Sequence, residues 1–167
     1  MPDSVYPDSA HPDIAPLAVF LGTWVGSGKG EYPTIPAFEY GEELAFNALA
    51  GKPFLVHTQK TKAREDGRPL HTETGYWRAA GRDEHGNLRV ELVVSQPTGI
   101  VEVLEGTFDG NCARLRSTTV SRTATAKEVT AVEREYRRDG SELQVRIAMA
   151  AVGQPLTHHL SAVLRLS

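Results

Sequence analysis

The stretch "LGTWVGSGKGEYPTI", Leu21 to Ile35, sets Gly22, Gly26, Gly28 and Gly30 around a single tryptophan, Trp24. A dinucleotide fingerprint reads G-x-G-x-x-G, opens a helix and needs an acidic residue about 20 positions on. Here the glycines run G-x-G-x-G and no amphipathic helix follows. A phosphate-cradling loop reads G-x-x-x-x-G-K-[ST]. Gly22 stands one position too far from Gly28-Lys29, and Gly30 follows the lysine. Strand geometry remains. Side chains alternate between the faces of a strand, so Gly22, Trp24, Gly26, Gly28, Gly30 and Tyr32 share one face. Val25, Ser27, Lys29 and Glu31 take the other. Glycine inside a strand marks a bend, a bulge, or close approach of another backbone or a ligand. Geometry favours the corner-turning first strand of a closed barrel; a ligand filling the vacated face is the sharper alternative.

The rest of the chain alternates short β-patterned runs with turn signals. The runs are "FEYGEELAF" (Phe38–Phe46), "PFLVHTQKTK" (Pro53–Lys62), "LHTETGYWR" (Leu70–Arg78), "LRVELVV" (Leu88–Val94) and "IVEVLEGTF" (Ile100–Phe108). "CARLRSTTV" (Cys112–Val120), "EVTAVEREYRR" (Glu128–Arg138), "ELQVRIAMA" (Glu142–Ala150) and "LTHHLSAVLRL" (Leu156–Leu166) complete the series. Links such as "AREDGRP", "GRDEHGN" and "SQPTG" are turn chemistry. The charges of Glu128–Arg138 suit a helix, but the neighbouring "DGS" turn decides for a strand. The total is about ten strands. Closing such a meander removes the unpaired edges that invite aggregation. The expected fold is therefore all-β, a closed up-and-down antiparallel barrel able to hold a small ligand inside or at its mouth. Residues 1–12 read as a loose acidic, proline-rich arm, residues 14–21 as one or two helical turns, and residues 13–167 as the barrel domain.

A length of 167 residues suits one domain with one core. Hydrophobic residues make up 40% and charged residues 23%, an ordinary globular balance. A net charge of −3 gives no bias toward nucleic acid or anionic membrane. Cys112 is the single cysteine, so no intrachain disulfide forms and a reducing cytoplasm is the natural compartment. The opening "MPDSVYPDSAHPD" is acidic and proline-rich and does not read in the basic-then-apolar order expected of a signal peptide, and the apolar run at 14–21 falls short of the ~20 residues of a membrane span.

Six histidines carry the remaining chemistry. His11 and His85 fall in loose or turn-like segments and read as solvated; His57 sits mid-strand and reads as structural. His158 and His159 are adjacent, so they face opposite sides of a strand and only one addresses a given site. His71 lies on another strand beside Thr72 and Glu73, and the Glu42-Glu43 pair reads as surface. There is no H-E-x-x-H, no cysteine near Cys112 and no G-x-S-x-G elbow. A haem iron asks for less: one proximal nitrogen, an apolar slot and a cation for its propionates. His159 or His158 can supply the nitrogen, the glycine face the room and Lys127 the cation. Core and surface histidines are the plainer reading.

The run "GTWVGSG" (Gly22–Gly28) continues into "GEYPTI" and is followed in order by "PLHTETGYWR" (Pro69–Arg78), "TAKEV" (Thr125–Val129) and "GQPLTHHLSAVL" (Gly153–Leu164). Together these resemble the nitrobindin family over nearly the whole chain after the arm. The resemblance implies a barrel similar to fatty-acid-binding proteins and lipocalins that holds one haem b. It implies His159, which precedes Leu160 in the last strand, as axial iron ligand, and Lys127 as a haem contact. His71 matches the histidine on the far side of the haem, and Leu70 and Met149 match apolar cavity lining. Gly22, Trp24, Gly26 and Gly28 form the signature assigned to the haem site. The implied activity is isomerisation of peroxynitrite to nitrate at ferric haem, with binding of nitric oxide as a related property. No protein side chain is implied as catalytic beyond His71 as a distal-side group. The rivals are a non-enzymatic nitric oxide carrier or sensor, and a haem-free barrel for a fatty acid or other apolar molecule. The latter kind commonly places arginines inside to catch a carboxylate. Homodimerisation stays open.

Strand parity pulls against one assignment. His158 shares parity with Leu160, Ala162, Leu164 and Leu166, whereas His159 shares it with Thr157, Ser161 and Val163. With the leucine face inward, plain alternation aims His158 at the interior. A bulge, or a haem seated at the rim, reconciles motif and parity. His159 is the assignment and His158 the alternative.

Overall fold

The computed structural model describes residues 10–167. Most of the expected arm thus lies outside the described residues, and its last residue, Pro12, opens a 3-10 helix, Pro12–Phe20. The Nδ1 of His11 accepts the N–H of Asp13 at 3.2 Å and caps that helix. Proline suits the first helical position, where its missing N–H would have no partner anyway.

Ten strands follow: β1 (Gly22–Tyr32), β2 (Ile35–Ala48), β3 (Phe54–Ala63), β4 (Pro69–Arg82), β5 (Leu88–Gln96), β6 (Ile100–Phe108), β7 (Cys112–Arg122), β8 (Val129–Asp139), β9 (Glu142–Ala151) and β10 (Thr157–Leu166). Each pairs antiparallel with the next, and β10 returns to β1 to close the barrel. This is the expected architecture. β2 and β4 run past their hydrophobic alternation at both ends, because a closed ladder keeps pairing residues that no burial pattern marks.

The glycine face of β1 is filled by protein. A Cβ on Gly26 would sit 2.1 Å from the carbonyl oxygen of Val163 in β10. One on Gly28 would sit 2.4 Å from the Tyr40 ring, and one on Gly30 would sit 2.2 Å from the Phe38 ring. Gly22 has φ 114°, a backbone state that side chains resist, where the 3-10 helix turns into β1.

One end of the barrel is closed. The 3-10 helix drives Ile14, Leu17 and Phe20 into it, each fully buried. The Phe20 ring lies 5.6 Å from Phe46, 6.0 Å from Trp77 and 5.3 Å from Phe108. Burying each such side chain is worth about 1.5–3 kcal/mol. Trp24 donates its indole N–H to the carbonyl of Phe20 at 2.7 Å. The Arg138 guanidinium lies 4.9 Å over the Trp24 ring and donates to the carbonyl of Val19. Helix and barrel are thereby stapled together.

Candidate functional site

The opposite end opens into a cavity of about 1280 Å³. Usual small-molecule pockets occupy roughly 300–1,000 Å³, so the space suits a ligand larger than most metabolites. Phe38, Ile100, Val129, Ile147, Met149 and Leu160 give it apolar walls.

His159 enters this space because of a bulge. The β10–β9 ladder pairs His158 with Ala148 and then Leu160 with Ile147, leaving His159 as the extra residue. A bulge of this kind re-aims a side chain. His159 and Leu160 both line the cavity, while His158 is exposed and does not. The parity conflict is resolved in favour of His159 as the inward imidazole. Across the seam, the β1–β2 ladder shifts register between Gly30 and Tyr32, so Glu31 has no partner on β2. The Glu31 carbonyl lies 3.0 Å from His159 Nδ1. With Nδ1–H donated there, Nε2 keeps its lone pair. Burial lowers the His159 pKa from its ordinary value, against the Glu31 bond, which favours the cation; His158 and His71 add repulsion. The imidazole is held neutral and oriented.

Tyr32 steadies that arrangement. Its ring meets His159 edge-on at 5.4 Å. Its hydroxyl accepts the N–H of Ala151 at 3.0 Å and donates toward the carbonyl of Met149 at 3.1 Å. In the sequence Tyr32 stands out only as the last residue of the glycine face of β1; closure of the barrel brings it beside His159.

His71, Lys127, Leu70 and Met149 all line the same cavity. His71 is partly buried, with Nε2 3.8 Å from Glu73 Oε2, an ion-pair distance rather than a hydrogen bond. Lys127 is exposed at the mouth, on the loop joining β7 to β8. Gly22, Trp24, Gly26 and Gly28 are not brought to the cavity. Trp24 belongs to the closed end, and Gly28 stands behind Tyr40, whose ring does line the space. Their expected contact with a cofactor is replaced by contact with protein, since neighbouring backbone and rings occupy the volume that the missing side chains leave.

The floor of the cavity is polar. Trp77 donates to His57 Nδ1 at 3.1 Å, which leaves His57 Nε2–H for Glu73 Oε1 at 2.9 Å. Arg134 spans Glu73 with Nη1 and Nη2 at 2.6 and 2.9 Å, and Glu102 with Nε and Nη2 at 3.1 and 2.6 Å. Its remaining N–H reaches the Tyr136 hydroxyl at 3.0 Å, so every guanidinium donor has a partner. Gln96 also donates to Glu102. Burial alone would raise the Glu73 carboxyl, yet Arg134, His57 and His71 hold it well below the usual range. An arginine thus stands inside the barrel, with no edge free to catch a ligand carboxylate.

Glu42 corrects an expectation. It is buried in this layer rather than on the surface, because it shares the inward face of β2 with Tyr40, Leu44 and Phe46 while Glu43 faces out. Burial, then the nearby Glu73, pushes its carboxyl up to about 7. Its partner Gln59 leaves Oε1 buried and without a hydrogen bond. Among the described residues no His/Cys/Asp/Glu cluster could hold a metal ion by itself, and no helix is long and apolar enough to cross a membrane.

A closed barrel whose cavity has apolar walls over a polar floor, with the neutral His159 imidazole turned inward and Lys127 at the rim, is a protein shaped to take up a sizeable prosthetic group. Residues 13–165 match the family model of the THAP4-like, heme-binding beta-barrel domain, and the chain belongs to that family. It is 50% identical over 159 residues to a peroxynitrite isomerase of Nocardia farcinica, covering 93% of this chain and 91% of that protein. It is also 50% identical over 163 residues to peroxynitrite isomerase 2 of Mycobacterium marinum, covering 95% and 98%. The crystal structure of Rv2717c from M. tuberculosis superposes with a TM-score of 0.83 at 45% identity, over 95% of this chain and 99% of that one.

Proposed function

We propose that the cavity binds one haem b with His159 as axial ligand, and that the protein isomerises peroxynitrite to nitrate and binds nitric oxide at the same centre. The observation that carries this reading is the His159 imidazole, bulged into the cavity with Nδ1 tied to the Glu31 carbonyl and Nε2 free. Its lowered pKa keeps that nitrogen unprotonated into mildly acidic solution. The names of the relatives from Nocardia and Mycobacterium support the reaction.

Ferric haem, when bound, supplies the Lewis-acidic and redox-active centre. The chain supplies the rest. Tyr32 braces the ligand imidazole, and Lys127 neutralises a propionate at the mouth. Met149, Ile147 and Val129, half-buried in the walls, shield the reacting anion from water, and Leu70 lines the exposed rim. His71, held near Glu73, donates a hydrogen bond to that anion from its own wall. A barrel that catches a fatty-acid carboxylate is disfavoured by the full pairing of Arg134. The lone, buried Cys112 suits a cytoplasmic setting.

Haem titration followed by Soret absorbance tests the assignment. Wild type and His158→Ala should give a ferric histidine-ligated spectrum and His159→Ala should not. The haem-loaded protein should then convert peroxynitrite to nitrate faster than the haem-free protein; equal rates would leave the carrier reading in its place. Loss of haem in His158→Ala alone would overturn the ligand assignment.

A further inference from the structure

Glu42 has no part in the reading above, and its surroundings do not suit a carboxylate. Tyr40 on its own strand, Glu73 from β4 and Arg134 from β8 face it. His57 lies behind Glu73, and Glu102 and Tyr136 lie behind Arg134. At its register β1 offers only Gly26, and β3 offers Thr61. Arg134 has no donor left for it. Gln59 gives Glu42 an N–H and strands its own Oε1 in a buried, partnerless position. A stranded buried acceptor is costly. Two independent defects therefore sit side by side: a carboxylate without a cation and an amide oxygen without a donor.

A single proton removes both. We propose that Glu42 and Gln59 form a proton-binding site beneath the cavity: in the protonated state the carboxyl O–H donates to Gln59 Oε1 while the carboxyl C=O keeps the amide N–H, and on loss of the proton only the N–H bond to the carboxylate remains, leaving one more negative charge under the bound ligand. The proton passes to solvent through the cavity, which Gln59 itself lines. Burial and Glu73 move the exchange to about pH 7, where small changes in acidity switch the charge of the floor. Glu73 and Glu102 are matched against a single arginine, so ionised Glu42 adds to a floor that is already anionic. An anion held above it is then repelled. This last consequence rests on the haem reading; the proton site does not.

The experiment is infrared titration of the haem-free protein, followed by azide binding to the haem-loaded protein across the same pH range. A carbonyl stretch of a protonated carboxylic acid should appear below about pH 7 and vanish above it. It should be missing in Glu42→Gln, and in Gln59→Leu it should move to the higher frequency of a carbonyl whose O–H has lost its acceptor. No band in wild type, or an unchanged band in Glu42→Gln, overturns the site. Azide affinity should fall several-fold more steeply with rising pH in wild type than in Glu42→Gln; parallel curves overturn the coupling to the cavity. Failure to bind haem would sink the haem reading and leave the infrared result to decide the proton site alone.

Discussion

The two ends of the barrel use the same residue types to opposite purposes. At the closed end Trp24 and Arg138 are satisfied within the chain: the indole donates to Phe20, and the guanidinium stacks on the indole and donates to Val19. Nothing there asks for a ligand. At the open end, His159 has one nitrogen anchored and the other free, and Lys127 stands exposed at the mouth. The free ring nitrogen and the exposed cation both lie at the cavity, where the proposed ligand would supply their partners. Between the two lies the buried layer of His57, Glu73, Glu102 and Arg134, which closes the apolar core off from the cavity. The comparison assigns stability to one end and binding to the other, and it can be broken at several points.

The largest effect is expected at the boundary. Arg134→Met leaves Glu73 and Glu102 buried without a cation and should cost about 5 kcal/mol at neutral pH, read by denaturant unfolding. Glu73 is held well below its ordinary value of 4.5 in the folded protein. Its contribution is therefore complete above that value and is lost as pH falls through the lower folded value. The deficit of the variant should accordingly shrink in acid. A deficit independent of pH would mean that the arginine acts through packing.

Trp24→Ala comes next, at about 4 kcal/mol, since it empties a fully buried indole site and frees Arg138 from its ring. Haem affinity of the folded protein should be unchanged in a Soret titration. A parallel fall in affinity would show that the closed end reaches the cavity after all.

Glu42→Gln should stabilise, which few substitutions of a buried acid do. The folded carboxyl titrates at about 7 against an ordinary 4.5. Between those values the folded state holds a proton that the unfolded state has released, so wild-type stability declines as pH rises through the window. The penalty is complete above pH 7 and amounts to something on the order of 3 kcal/mol. The variant should match wild type near pH 4.5 and exceed it at pH 8, as measured by thermal or denaturant unfolding. Equal pH profiles would place the carboxyl in contact with water.

The barrel itself was legible because its signals are local. Alternation and turn chemistry marked the ten strands, and even the charge-rich β8 declared itself through the turn after it. The glycine face of β1 was legible as a corner, since Gly26 and Gly28 face groups that a Cβ would strike. Its reading as a cofactor wall was an inference from the motif, and Trp24 shows why motif and contact differ: the residue holds the scaffold that presents the site. The inward turn of His159 was not legible from period alone. One extra residue in β10 reverses parity, and a bulge leaves no mark in a strand this short. The polar floor was hidden for another reason. Glu42, Glu73, Glu102 and Arg134 come from four strands, and charged residues read as surface until closure of the barrel brings them face to face.

Lys127 offers the finest test, because it separates charge from architecture. Its loop is held independently of its side chain: Arg122 donates to the carbonyl of Ala126 at 3.1 Å, Thr123 N–H reaches Gly99 O at 2.9 Å, and Val152 N–H reaches Glu128 O at 3.0 Å. Lys127→Ala should therefore leave unfolding unchanged. An exposed ion pair is weak and screened by salt, so haem affinity should fall by roughly fivefold or less at low ionic strength. The difference should fade as salt is added. A loss that persists in high salt would mean that the lysine stem packs on the haem, and that the mouth as well as the wall binds through contact.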